Sequence, residues 1–188
     1  MNYNAIVIGV SAGGISALST ILPQLPGNFP LPVIIVQHIS PNTDNFMVNH
    51  FNHICQLKVK EADEKESIQP GTVYFAPPNY HLLVETDFTF SLSVEERVNF
   101  SRPSIDVLFE SAADAWHTGL IGIILTGAST DGSKGMRIIK KRGGYTIAQD
   151  PQEAEVPVMP EAAIKIGGVD RKMTLSEITT FLLNLQKQ

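Results

Sequence analysis

Short apolar runs alternate along this chain with stretches in which apolar residues recur every three or four positions, the pattern of strands and helices taken in turn. Ala5 to Ile8 predicts a first strand, and Ile15, Leu18, Ile21, Leu22 and Leu25 predict a helical stripe that stops at Pro26-Gly27. Val33 to Gln37 reads as a second buried strand ending at His38, followed after Pro41 by a helix with Phe46, Met47, Phe51 and Ile54 on its apolar side. Between Leu57 and Val94 the runs shorten and are separated by Pro70-Gly71, Pro77-Pro78-Asn79 and Thr86-Asp87. Such spacing predicts β-hairpins that form an antiparallel edge of the sheet. After Pro103 the alternation resumes, with a helix through Ile105, Leu108, Phe109 and Ala112 and a strand from Ile121 to Leu125. A helix through Met136, Ile138 and Ile139 and a strand from Tyr145 to Ala148 come next. Thr174-x-x-Glu177 is a capping box ahead of a last amphipathic helix. The expected fold class is α/β: a single domain over residues 1–188, with a doubly wound, mostly parallel sheet and an antiparallel β-hairpin edge.

Composition narrows the function classes. With 188 residues and 43% hydrophobic content the chain can bury one substantial core. A net charge of −5 leaves no basic footprint for phosphates, so no nucleic-acid partner is expected. The lone cysteine, Cys55, cannot form an internal disulfide, and no apolar run approaches the roughly 20 residues a bilayer requires. A cytoplasmic protein without membrane insertion is the expectation.

The chemistry gathers at strand ends. Gly9-Val10-Ser11-Ala12-Gly13-Gly14 sets a serine on a strand-to-helix turn, where its hydroxyl clears the sheet and the helix's first N–H groups face any developing negative charge. The same letters fit a phosphate-binding turn. His38 and Asp131 fall at the ends of two other predicted strands, and in an open parallel sheet such ends share one rim. Serine, imidazole and carboxylate are what nucleophilic acyl transfer needs: a nucleophile, a base mostly neutral at pH 7, and a group that holds the base's tautomer. Each has a plainer reading: Ser11 as a helix N-cap, His38 as a hydrogen-bonded strand-end residue, Asp131 as a turn or cap for the helix after it. His50 and His53 have an i, i+3 spacing but no nearby carboxylate or cysteine to complete a metal site, and His81 and His117 read as structural or surface residues. The order serine, histidine, acid also departs from the serine, acid, histidine order of α/β-hydrolases.

Six segments carry a resemblance. Val7 to Gly14, Val36-Gln37-His38, Gly71 to Pro77, Arg102 to Phe109, Leu125 to Gly132 and Thr146 to Asp150 are similar to the catalytic domain of CheB, the chemotaxis protein-glutamate methylesterase family. The resemblance implies Ser11 as nucleophile, His38 as general base and Asp131 as orienting carboxylate, with no metal or organic cofactor. It implies hydrolysis of glutamate methyl esters on a methylated chemoreceptor-like protein, with deamidation of particular glutamines as a second activity. The oxyanion donors expected are the N–H groups of Ala12 and of Ala128, in the turn after the 121–125 strand. Two open readings remain, a serine esterase for another ester or amide and a non-catalytic signalling module that holds an anion at the Ser11 turn. Two departures bear on these expectations. The first strand begins almost at Met1, leaving no room for the family's usual N-terminal receiver, so control is expected from a separate receiver or methyltransferase protein or not at all. The family's T-G-M-G-x-D-G stands here as Thr126-Gly127-Ala128-Ser129-Thr130-Asp131-Gly132, which changes the expected wall beside the acid and bears on substrate preference.

Overall fold

The structure is a computed structural model that describes residues 3–38 and 46–185. Seven parallel strands form its centre: β1 (Ala5–Val10), β2 (Val33–Gln37), β3 (Lys58–Glu61), β4 (Thr72–Phe75), β7 (Leu120–Ile124), β8 (Tyr145–Gln149) and β9 (Arg171–Met173), in spatial order β3-β4-β2-β1-β7-β8-β9. All six residues of β1 and all five of β2 and of β7 are buried. That explains why these segments read as unbroken apolar runs rather than alternating ones: helices cover both faces of a parallel sheet.

The pleat divides β1 between two cores. Ile6, Ile8 and Val10 point toward helices α1 (Gly14–Ile21), α2 (Phe46–Ile54) and α6 (Leu175–Leu185), where they meet Leu18, Ile21, Phe51 and Leu182. Ala5 and Val7 point the other way, into a core with α3 (Ile105–Trp116), α4 (Ser133–Lys141) and α5 (Val158–Lys165), built from Leu108, Phe109, Met136 and Ala163. Side-chain alternation along one strand therefore fixes the register for both layers. Thr174 caps α6 as expected: its N–H donates to Glu177 Oε2 at 2.8 Å, and the Glu177 N–H donates to its hydroxyl at 3.2 Å. The start of the helix predicted after Pro41 lies outside the described residues, and from Phe46 it runs with Met47 and Phe51 buried while Phe46 is exposed.

The middle of the chain pairs differently from the hairpin expectation in detail. Its first two runs, β3 and β4, are parallel strands of the main sheet. Only β5 (His81–Val84) and β6 (Phe90–Ser93) form an antiparallel hairpin, and it stands as its own two-stranded sheet packed on α3 through Leu82, Val84 and Phe90. Two elements had no apparent signal. Helix α5 is masked by Pro157 and Pro160, residues that a helix accepts at its cap and first turn, and β9 is only three residues long with two of them exposed. Among the described residues no helix is long and apolar enough to cross a membrane.

Candidate active site

The chain leaves β1 toward α1 on one face of the sheet and leaves the neighbouring β7 toward α4 on the other, which opens a crevice between their carboxyl ends. Ser11 follows β1 and Thr126-Gly127 follow β7, and the Ser11 N–H donates to the Thr126 carbonyl at 3.0 Å. Gly127 lies directly against the serine, since a Cβ placed on it would come within 2.8 Å of Ser11 Cβ and would collide with Met159 Sδ. Ser11 is not the N-cap of α1. That position belongs to Gly13, in the left-handed region at φ +78°, with no side-chain capping bond. The serine hydroxyl is thus free of the structural duty that competed with a chemical one.

His38 follows β2, on the other side of β1. Gln37 ties the two strand ends together, its Nε2 donating to the carbonyls of both Ser11 (2.9 Å) and His38 (3.0 Å). Ser11, His38 and Gln37 line one cleft of about 530 Å³ together with Ile15, Met47 and Glu155. Across the other edge of the imidazole, His38 Nε2 donates to Asp131 Oδ2 at 2.8 Å, which leaves Nδ1 as the ring nitrogen free for a further partner. The structure therefore joins His38 to Asp131 by a hydrogen bond and places Ser11 in the same cleft as His38 without a direct bond between them.

Asp131 is fully buried and caps a helix, though not the one that follows it in sequence. Its Oδ2 accepts from the Ile105 N–H at 2.7 Å, and its Oδ1 accepts from the Asp106 N–H at 3.2 Å and from the hydroxyl of Ser104, the N-cap of α3, at 2.9 Å. Helix α4 has Gly132 as its N-cap, without a side-chain capping bond. Burial works to raise the Asp131 pKa, but it is outweighed by the hydrogen bonds from His38, Asn99 and the Ile105 and Asp106 N–H groups, so the carboxyl lies below its ordinary value. A carboxylate kept ionised by these donors, the first turn of α3 among them, is suited to orient an imidazole and to stabilise it when it takes a proton.

Ala12 and Ala128, the expected oxyanion donors, are exposed residues on the loops that meet at Ser11 and Gly127. Among the described residues neither N–H has an acceptor. In the altered segment between Gly127 and Asp131, Ala128 is exposed and Ser129 Oγ accepts from the Asp131 N–H at 3.1 Å, so the serine braces the turn that carries the acid. His50 and His81 are both engaged elsewhere. His50 stacks on Phe46 at 5.7 Å, and buried His81 bonds the Glu96 carbonyl at 3.0 Å and accepts from the Ser104 N–H at 3.2 Å.

Residues 6–182 match the family described as CheB methylesterase. The chain belongs to that family. It is 54% identical over its full length to a Leptospira interrogans protein named as a candidate protein-glutamate methylesterase/protein-glutamine glutaminase, covering 97% of that relative. It is 43% identical to protein-glutamate methylesterase/protein-glutamine glutaminase 1 of Carboxydothermus hydrogenoformans, where 92% of the chain spans about half (52%) of the longer relative. Among solved structures, the CheB methylesterase catalytic domain of Thermotoga maritima superposes with a TM-score of 0.93 at 34% identity, covering 98% of this chain and 100% of that one.

Among the residues of this candidate site that sequence patterning misses is Asn99. Its side-chain amide donates to Asp131 Oδ1 and to Asp106 Oδ2, both at 2.9 Å, and so bridges two buried carboxylates. Nothing in its irregular surroundings signals this. Burial raises the Asp106 pKa, the Gly135 N–H opposes that rise, and the Asp131 charge adds to it, so removing the bridging amide leaves two like charges facing one another. Asn99→Ala should lower stability by about 1–2 kcal/mol and kcat by about three- to tenfold, read by urea denaturation and by ester turnover. Gly127→Ala should do more to Ser11 than to the fold. The added methyl displaces Ser11 or Met159, and the expected cost is about 1–3 kcal/mol in stability with up to a hundredfold in turnover, measured in the same two assays.

Proposed function

We propose that this chain is a protein-glutamate methylesterase that hydrolyses γ-methyl esters on a methylated chemoreceptor-type protein and deamidates glutamines at the same site, within chemotaxis or a related signalling system. The observation that carries this reading is the ionised, helix-capped Asp131 bonded to His38 at 2.8 Å, with Ser11 in the cleft that His38 lines. Membership of the CheB methylesterase family and the names of the relatives support the substrate class.

In this mechanism Ser11 Oγ attacks the ester carbonyl while the free His38 nitrogen takes its proton, and the imidazolium forms against the Asp131 carboxylate. The carbonyl oxygen becomes an oxyanion held by the Ala12 and Ala128 N–H groups, each donor worth about 3–4 kcal/mol in the transition state. As the tetrahedral intermediate collapses, the carbon–methoxy bond breaks and methoxide takes the His38 proton, leaving as methanol. Water then attacks the acyl-Ser11 ester, giving its proton to His38, and the Ser11 oxygen departs with that proton to leave glutamate. With a glutamine substrate the same steps release ammonia.

The test is a time course of methanol release from a methyl-labelled receptor fragment, run beside covalent labelling by a fluorophosphonate mapped to its residue. Methanol release with labelling at Ser11 supports the proposal. Labelling without methanol release would point to another ester or amide, and neither event would point to a binding module.

A further inference from the structure

The cleft holds one carboxylate that the proposed mechanism does not use. Glu155 lines it with Ser11 and His38, and among the described lining residues it is the only acidic or basic side chain apart from the histidine. It reaches over the first turn after Ser11: a Cβ on Gly13 would lie 2.8 Å from Glu155 Oε2 and 2.9 Å from its Cβ, so a glycine there gives the glutamate its place. Its backbone is held as well. The next residue, Val156, donates its N–H to Thr126 Oγ1 at 2.9 Å and accepts from the Gly127 N–H at 2.9 Å, which ties the segment to the β7 loop beside the serine. Among the described residues no cation pairs with Glu155; the ion pairs all join other residues.

We propose that Glu155 is a charge-selecting residue of the cleft, admitting a neutral ester or amide side chain and expelling the carboxylate formed from it. This rests on the methylesterase reading, because that reaction turns a neutral group into an anion at a fixed place. A negative wall acts differently on the three states. The substrate is neutral and feels little. In the transition state the oxyanion is balanced by the imidazolium of His38, so the pair has no net charge and Glu155 acts weakly on it. In the product complex the imidazole is neutral again and the new carboxylate stands unbalanced, so repulsion falls on product. Because Glu155 is exposed, water and salt screen the effect, which limits it to a several-fold one that fades as salt rises.

The test compares one receptor-helix peptide in two forms, carrying either a glutamate methyl ester or the free glutamate, for affinity to the Ser11→Ala protein, which keeps the ester intact. Introducing Glu155→Gln should tighten the free-glutamate peptide by about three- to tenfold at low salt and the ester peptide by less than twofold, with Glu155→Lys enlarging the difference. The gap should close at 0.5 M salt. An unchanged ratio of the two affinities across all three proteins, or binding of neither peptide, would overturn the proposal. Failure of the methylesterase reading shows separately, as absence of methanol from the unmodified protein.

Discussion

Replacing Ser11 with alanine should lower methanol release from a methylated receptor by at least about 10⁴-fold, to the rate left by binding and by the oxyanion donors alone. The loss should fall on kcat, because the hydroxyl forms its new bond only during the reaction. Stability should barely change. Ser11 caps no helix, and its backbone bonds, from its N–H to the Thr126 carbonyl and from Gln37 Nε2 and the Gly14 N–H to its own carbonyl, do not involve the side chain. An unaltered urea midpoint alongside lost turnover therefore separates a chemical role for the hydroxyl from a structural one. A variant that keeps more than a hundredth of the native rate would remove Ser11 from the mechanism. Fluorophosphonate labelling should vanish in the same variant.

The fold was legible wherever burial on both faces makes the sequence speak plainly. The apolar runs of β1, β2, β7 and β8 are found within two residues of their observed ends, because a strand covered by helices on both faces has few polar positions to blur it. The 57–94 region misled for the same physical reason in reverse. In β3 only Val59 is buried, and nothing in the side chains of Lys58, Lys60 and Glu61 tells a parallel partner from an antiparallel one. Pairing direction is set by where the chain returns, and the chain returns through the long loop at 62–71 rather than through a tight turn.

The candidate site is legible in the residue types it gathers and not in their supports. Ser11, His38 and Asp131 could be picked out because each ends or follows a recognisable strand, and a parallel sheet brings such ends to one rim. Asp131 illustrates the limit. Its position beside Gly132 suggested a cap for the next helix, whereas its carboxylate reaches back to the N-terminus of α3, 26 residues earlier in the chain. Asn99, Ser104, Gln37 and Glu155 act through contacts between loops distant in sequence, and such contacts leave no periodicity to read. Arg102 to Phe109 entered the reading only as part of a family resemblance. The structure supplies its physical content: this segment builds the helix end whose Ser104 hydroxyl and Ile105 and Asp106 N–H groups donate to Asp131.

Asp131→Asn should reduce kcat by about 10³–10⁴-fold and, unlike the serine change, should also weaken the fold. The carboxylate accepts from five donors: His38, Asn99, Ser104 and the N–H groups of Ile105 and Asp106. An asparagine turns one of its two oxygens into an NH₂ group, which faces the Asn99 amide and the Asp106 N–H if it lies on the Oδ1 side, or the Ile105 N–H with the imidazole switched to its accepting tautomer if it lies on the Oδ2 side. The expected loss is about 2–4 kcal/mol near neutral pH, with the imidazole freed from the partner that fixes its tautomer. The sign of the pH dependence follows from the depressed pKa of Asp131. Its ionised form stabilises the folded state at all pH values above the unfolded carboxyl's value of about 3.9, and that contribution disappears as pH falls through the lower folded value. Asparagine does not titrate. The stability gap between native protein and variant, measured by urea denaturation, should therefore be constant from pH 7 to 5 and narrow below about pH 4. A gap that stayed constant through that range would mean that the carboxylate's charge contributes nothing, and that α3 needs only the shape of the side chain at its N-terminus.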